Sequence, residues 1–252
     1  MNAVVEVENL KKIFCENGKP DFTAVDGISF QVYPGEILGI VGESGSGKST
    51  VAKLITRLAD ATEGIIKVDG VDITHGKGRK LKSAYLKIQM VFQTPSGSFD
   101  PRRTLGDGIC ESMVNHGMSK KSAKKRAIGL LKDCGLAEEY MKRYPHEVSG
   151  GQCQRAAIAR ALAIRPEVLI CDEATSGLDA TVQKQVIELL RSLKETTGMA
   201  YIFICHNLAL VQQFCDRVIV MYDGKIVEEG TPDEIILTPK SDYTKKLVDS
   251  VL

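Results

Sequence analysis

Residues 36–50 read EILGIVGESGSGKST. A short, uninterrupted apolar run (ILGIV) passes into a loop carrying three glycines and then into Lys48-Ser49-Thr50. A run of that kind suits a strand covered on both faces, because every second side chain of a half-exposed strand would be polar. Residues 42–49, GESGSGKS, match G-x-x-x-x-G-K-[ST], the phosphate-binding loop. Its four fixed positions recur by chance in about one chain of this length in a hundred. The strand before the loop and the helix expected after it, with Val51, Leu54, Ile55 and Leu58 at i, i+3, i+4 and i+7, therefore carry the assignment. Glycines let backbone N–H groups converge on phosphate oxygens, Lys48 reaches the β- and γ-phosphates, and the Ser49 hydroxyl can ligate Mg²⁺. Gly42, Glu43, Ser44, Gly45, Ser46, Gly47, Lys48, Ser49 and Thr50 thus specify a nucleoside triphosphate site.

Three further apolar runs end in chemistry. Residues 168–173, VLICDE, bring Asp172 and Glu173 to the C-terminal edge of a strand, where α/β sheets bind ligands. Asp172 can hold the hydration shell of Mg²⁺, and Glu173 is placed to take a proton from an attacking water. Residues 200–206, AYIFICH, end in His206, and residues 88–93, IQMVFQ, end in Gln93. Alone, either is an ordinary strand-end polar residue. Together with Asp172-Glu173 on one sheet edge they suit a metal ion, a lytic water and a γ-phosphate.

The rest of the chain fills in around that edge. The first ninety residues read mostly as strands (VVEVENLKKIF, ISFQVYP, GIIKVDG), interrupted by the one helix after the glycine loop. Residues 95–166 turn helical. Beyond them strands and helices alternate, with an amphipathic helix from Thr181 to Lys194 that turns Val182, Val186, Leu189, Leu190 and Leu193 one way and Lys184, Glu188 and Arg191 the other. Apolar strands alternating with helices argue for a parallel sheet covered on both faces.

Composition narrows the function classes. At 252 residues, 43% hydrophobic and 26% charged, with a formal net charge of +1, the chain has the profile of a globular domain with no global field favouring nucleic acid or an anionic membrane. The run Lys120, Lys121, Lys124, Lys125, Arg126 reads as a solvated helix face. Seven scattered cysteines without a Cys-x-x-Cys pair fit neither a disulfide framework nor a metal site, and Cys171 and Cys205 lie inside apolar runs as buried thiols. No signal peptide opens the chain, and its apolar runs fall short of the roughly 20 residues that span a bilayer. A role at a membrane would need another chain to cross it.

Residues 149–152, SGGQ, open a second helix on a glycine-rich turn, where free N–H groups and the helix dipole favour an anion. With this motif the sequence resembles the ATPase subunits of ATP-binding cassette transporters. The phosphate loop, Gln93, SGGQ, Asp172-Glu173, the loop Ser176-Gly-Leu-Asp179 and His206 occur in that family's order, from residue 4 to about 230. The resemblance implies a P-loop NTPase (RecA-like) parallel-sheet core with an N-terminal antiparallel β region. It implies one nucleotide-binding domain over residues 1–252, with a helical subdomain inserted at 95–166. It also implies ATP with Mg²⁺ held by Ser49, Gln93 and Asp172, and catalysis by Glu173, His206, Lys48 and Gln93. Phe14 would stack on adenine, with Phe22 as its rival. Two subunits would pack head to tail, so that Ser149, Gly150, Gly151 and Gln152 cap the γ-phosphate in the other subunit's loop. Asn207 stands where the family often has Asp, and Val148 where it often has Leu.

A narrower resemblance, carried by GESGSGKST, VFQTPSGSFDPRRT, DEATSGLDATVQ and TPKSDYTKKLVDSVL, is to the branch importing oligopeptides, dipeptides and nickel or metal chelates. It implies a heterodimer with a second ATPase, two transmembrane permease subunits, an extracytoplasmic solute-binding protein and a place on the cytoplasmic face of the membrane, with no nucleic acid. The alternatives are an exporter ATPase and a soluble clamp acting on DNA or ribosomes. Against the clamp stand the single cassette and the absence of a sustained heptad pattern.

Overall fold

The computed structural model describes residues 2–15, 20–176 and 178–250. In chain order it forms β1 (Val5–Phe14), β2 (Phe22–Val32), β3 (Ile37–Val41), α1 (Lys48–Ile55), β4 (Glu63–Val68), β5 (Val71–Asp72), α2 (Arg79–Lys87) and β6 (Ile88–Val91). Then come α3 (Leu105–Asn115), α4 (Lys120–Asp133), α5 (Gly150–Ala161), β7 (Val168–Asp172), α6 (Ala180–Thr197) and β8 (Ala200–Ile204). The chain continues through α7 (Leu208–Phe214), β9 (Arg217–Tyr222), β10 (Lys225–Gly230), α8 (Pro232–Leu237) and α9 (Asp242–Asp249).

Two sheets result. The N-terminal strands make an antiparallel sheet in the order β2-β1-β4-β5, and the second sheet runs β10-β9-β3-β8-β7-β6. Its strands β9, β3, β8, β7 and β6 are mutually parallel, with β10 added antiparallel at one edge. Strand pleating divides the core in two, because alternate side chains leave opposite faces. Leu38, Ile40, Val168, Ile170, Ile202 and Ile204 face α1 and the antiparallel sheet. Ile37, Val41, Leu169, Cys171, Tyr201 and Phe203 face the helices of the other layer. Buried on both faces, β3, β7 and β8 have no exposed position, which is why their sequences show no alternation.

Between β6 and β7, residues 95–166 hold α3, α4, α5 and short 3₁₀ turns. Thr104 and Ser119 cap α3 and α4 by accepting from the N–H of Asp107 and Ser122. Their buried faces, including Leu105, Ile109, Ala127 and Leu131, belong to the same apolar cluster as Leu169, Tyr201 and Phe203 of the sheet. In α4, Lys120, Lys121, Lys124 and Lys125 are exposed, whereas Arg126 turns inward and donates to the carbonyl of Ala163 at 2.8 Å. Arg160, near the end of α5, lies over the Phe99 ring at 4.6 Å and donates to the carbonyl of Ser98.

Several expectations need correction. α1 stops at Ile55, and Arg57 adopts φ 56°, so Leu58 falls past the helix and is 57% exposed. A second helix, α2, occupies a region expected to hold only one, and it buries Ala84 alone. The strand expected to end at Gln93 ends at Val91. All seven cysteines are free, and Cys171 and Cys205 are buried as expected. Burial pushes the Cys171 thiol up to about 12, so it stays protonated and inert. Among the described residues no helix is long and apolar enough to cross a membrane.

Candidate active site

β3 delivers the phosphate loop into a narrow space between β2 and β9. A Cβ on Gly42 (φ +147°) would lie 2.2 Å from the carbonyl oxygen of Met221, and one on Gly47 (φ +104°) 2.3 Å from that of Ala24. Backbone on both sides leaves room for glycine alone. The N–H of Gly224, in the turn between β9 and β10, donates to the Ser46 carbonyl at 3.2 Å and pins the loop from outside. These carbonyls and N–H groups carry no side-chain signature, so no residue pattern announces the walls around the loop.

Within that frame Lys48 is 5% exposed, and its Nζ donates to the carbonyls of Gly42 (2.7 Å) and Glu43 (2.6 Å) and to Ser46 Oγ (3.2 Å). Burial lowers its pKa, while the carboxylates of Glu173 and Asp172 oppose that shift. Next along α1, Ser49 Oγ donates to Asp172 Oδ1 at 2.8 Å.

Asp172 is the last residue of β7 and 6% exposed. Burial raises its carboxyl pKa, and the Ser49 hydrogen bond offsets part of the rise. The folded chain therefore binds this proton more tightly than the unfolded chain. The group favours folding below the ordinary aspartate range and loses that contribution as pH rises through its own raised pKa. Asp172→Asn is thus expected to raise the melting temperature of the nucleotide-free protein by about 2–4 °C, the equivalent of about 1 kcal/mol in a chain of this size, while abolishing Mg²⁺-dependent turnover. Scanning calorimetry and phosphate release read the two effects. A variant less stable than the parent would contradict the burial argument.

Glu173 comes next, in the left-handed region with φ +47°, a conformation that costs a non-glycine residue energy and that clusters at functional sites. Its N–H donates to the Ile204 carbonyl at 3.0 Å, which ties the strained turn to the end of β8. Gln93 Nε2 donates to Glu173 Oε2 at 2.6 Å, and His206 Nδ1 stands 3.8 Å from Oε1. Side chains just past the ends of β6 and β8, remote in sequence, thus converge on the carboxylate just past the end of β7.

A cleft of ≈ 540 Å³ opens on this convergence, lined by Lys48, Ser49 and Thr50 with Gln93, Glu173 and His206, and by Ser44, Gly45 and Gly47 of the loop. A larger hollow of ≈ 900 Å³ between α4 and α6 gathers none of these groups, so size does not locate the chemistry. Ser49, Asp172 and Gln93 offer hydroxyl, carboxylate and amide oxygens, hard donors of the kind Mg²⁺ takes. Among the described residues no cluster of three or more His, Cys, Asp or Glu side chains could hold a metal by itself, and a Mg²⁺ ion that draws part of its shell from phosphates and water needs none.

The family model for the ABC transporter matches residues 25–176. The chain belongs to the ABC transporter family. It is 43% identical over 251 residues to the oligopeptide transport ATP-binding protein OppF of Bacillus subtilis (strain 168), covering 98% of this chain and 82% of that one. To the glutathione import ATP-binding protein GsiA of Salmonella typhi it is 46% identical over 229 residues, which are 90% of this chain and 37% of that protein. Among solved structures, the dimeric post-hydrolysis state of the ATP-binding cassette MJ0796 bound to ADP and Pi superposes with a TM-score of 0.83 at 31% identity, covering 90% of this chain and 98% of that one.

In this ABC ATPase the remaining expected residues fall in two places. Phe22 lines the cleft, and Phe14 does not. Phe14 is Phe22's partner across the β1–β2 ladder, 41% exposed, with Lys12 Nζ 4.8 Å from its ring centre. The cleft therefore offers Phe22 first, the reverse of the expected ranking. None of Ser149, Gly150, Gly151 or Gln152 lines it. They form the start of α5, where Ser149 and Gln152 make a reciprocal capping box. A Cβ on Gly151 would meet Val182 Cγ1 at 2.4 Å, so packing against α6 accounts for that glycine. At Gly150 a Cβ would meet nothing within 4 Å, and nothing described in this chain requires a glycine there. Asp179 caps α6, while Gly177 of the same loop lies outside the described residues. Asn207 caps α7 through its side-chain oxygen, 3.1 Å from the Leu210 N–H, which fills the structural role an Asp would have there.

Proposed function

We propose that this chain is the ATP-hydrolysing subunit of a peptide importer, working as one half of a head-to-tail ATPase pair. The observation that carries the proposal is the convergence of Gln93, Glu173 and His206 on a cleft floored by the phosphate loop, with the 149–152 helix start outside it. Glu173 takes the proton of a water attacking the γ-phosphate in line, and Gln93 holds that carboxylate in place. Lys48 and His206 stabilise the charge that develops. Mg²⁺, held by Ser49, Asp172 and Gln93, would supply charge neutralisation on the triphosphate. We assign the adenine stack to Phe22, the aromatic that lines the cleft, ahead of Phe14.

An anion-binding helix start that is no part of its own cleft, with a glycine at position 150 that nothing described in this chain demands, suits a phosphate presented by another subunit. ATP then holds the pair together and hydrolysis releases it. Residues 95–166 form the arm that presents this helix start. The relatives OppF and GsiA are called oligopeptide and glutathione transport proteins, both peptide cargoes, and we assign that class rather than nickel or a metal chelate. Two permease subunits and an extracytoplasmic binding protein complete the machine, which places this chain on the cytoplasmic face of the membrane beside a second, different ATPase.

Light-scattering mass of Glu173→Gln protein tests the pairing. The monomer mass with Mg·ATP bound, rising to the dimer mass only when a second ATPase is added, is the result expected of a heterodimer. Dimerisation of the chain alone would replace that with a homodimer. A protein that binds no Mg·ATP would overturn the proposal.

A further inference from the structure

Besides β7 and the β9–β10 turn, the C-terminal helix also reaches the phosphate loop. The N–H of Glu43 donates to the hydroxyl of Tyr243 at 3.0 Å, across 200 residues of sequence. That N–H belongs to the peptide unit whose carbonyl, on Gly42, accepts from Lys48 Nζ at 2.7 Å. Because the unit is planar, fixing its N–H end fixes the direction of its C=O end. An accepted N–H also polarises the carbonyl and strengthens the bond that the carbonyl makes.

Tyr243 is itself held on three sides. Its ring packs against that of Tyr222 at the end of β9, with centroids 4.2 Å apart and the planes tilted by 35°. The Glu228 carboxylate accepts from the N–H groups of Lys240 (2.8 Å) and Ser241 (3.0 Å), anchoring the turn into α9. Thr244, Leu247 and Val248 on the same helix are buried. Burial pushes the Tyr243 phenol above its ordinary range, so the hydroxyl stays neutral through the range where the protein works.

We infer that Tyr243 is a positioning residue for ATP: from the C-terminal helix it orients the Gly42–Glu43 peptide unit and, through it, the Lys48 ammonium that meets the phosphates. The inference rests on the ATPase reading of the cleft. It makes α9 part of the nucleotide site, although no residue of α9 lines the cleft.

Tyr243→Phe removes the hydroxyl and keeps the ring on Tyr222, so packing of the tail is preserved. The variant is expected to raise the KM for ATP about threefold to tenfold, the worth of one hydrogen bond, with a smaller change in kcat and an unshifted melting temperature. Tyr222→Phe, which keeps the ring contact and alters no bond to the loop, is the control for general effects of losing a surface hydroxyl. Lys48→Ala, measured alongside, checks that binding runs through the loop. An unchanged KM in Tyr243→Phe, while Lys48→Ala still abolishes binding, overturns the inference and leaves the ATPase reading standing. A KM rise accompanied by an equal loss of thermal stability also overturns it, because Tyr243 would then be holding the fold rather than aiming the lysine.

Discussion

Glu173→Gln is expected to turn over ATP about 10²–10³-fold more slowly than the parent protein at saturating nucleotide, with Mg·ATP affinity retained. The substitution leaves the shape of the site almost untouched. A carboxamide oxygen still accepts from Gln93 Nε2, and the left-handed turn at φ +47° still hangs from the Ile204 carbonyl. What disappears is an oxygen that can take a proton from water. Phosphate release under saturating ATP, paired with titration calorimetry, separates the two effects. Undiminished hydrolysis would show that another group takes the proton, and His206, 3.8 Å away, would be the next to test. Loss of binding with loss of rate would instead make Glu173 a structural support for the cleft.

The second large effect belongs to Gly47→Ala, which is expected to weaken Mg·ATP binding by at least about thirtyfold. Two costs combine. The left-handed conformation at φ +104° disfavours any L side chain by about 1–2 kcal/mol. A methyl 2.3 Å from the Ala24 carbonyl adds an overpacking cost of about 1–3 kcal/mol, because β2 is hydrogen-bonded along β1 and cannot step back freely. The loop relieves both only by leaving the shape that cradles phosphate. Gly45→Ala is the comparison: Gly45 also has positive φ (+84°) but no atom within 4 Å of an added Cβ, so its loss should be milder. Equal effects at the two positions would mean that strain alone governs the loop and that the wall at Ala24 is irrelevant.

How much of this was legible in the sequence depends on where each feature stores its information. β3, β7 and β8 were readable because strands buried on both faces must be apolar at every position. Lys48, Ser49, Asp172 and Glu173 were readable because a strand ending in chemistry has few other uses. α2 was not, because RKLKSAYLK buries only Ala84 and therefore shows no apolar stripe. Leu58 falls outside the helix that its spacing predicts, because spacing carries no signal of the turn at Arg57 that ends the helix first. Phe14 and Phe22 are directly opposite each other in the ladder, and linear sequence holds nothing to rank two aromatics that only the pairing of β1 with β2 brings together. The walls of the loop at Ala24, Met221 and Gly224 are main-chain groups, silent in any one-letter code.

The three bonds that Lys48 makes to its own loop have a consequence for what can displace them. An ammonium has three protons to donate, and here Gly42, Glu43 and Ser46 accept all three. An arriving anion does not fill a need; it exchanges with an acceptor that the cation already has, the Ser46 hydroxyl being the most distant at 3.2 Å, while the Gly42 carbonyl keeps the ammonium aimed. A free phosphate ion, brought in alone, has only this exchange to offer and little else to gain. A triphosphate tethered to a stacked base brings other contacts with it and can make the exchange favourable as a whole. Small anions of that kind therefore compete poorly for a lysine already satisfied by two carbonyls and one hydroxyl of its own loop.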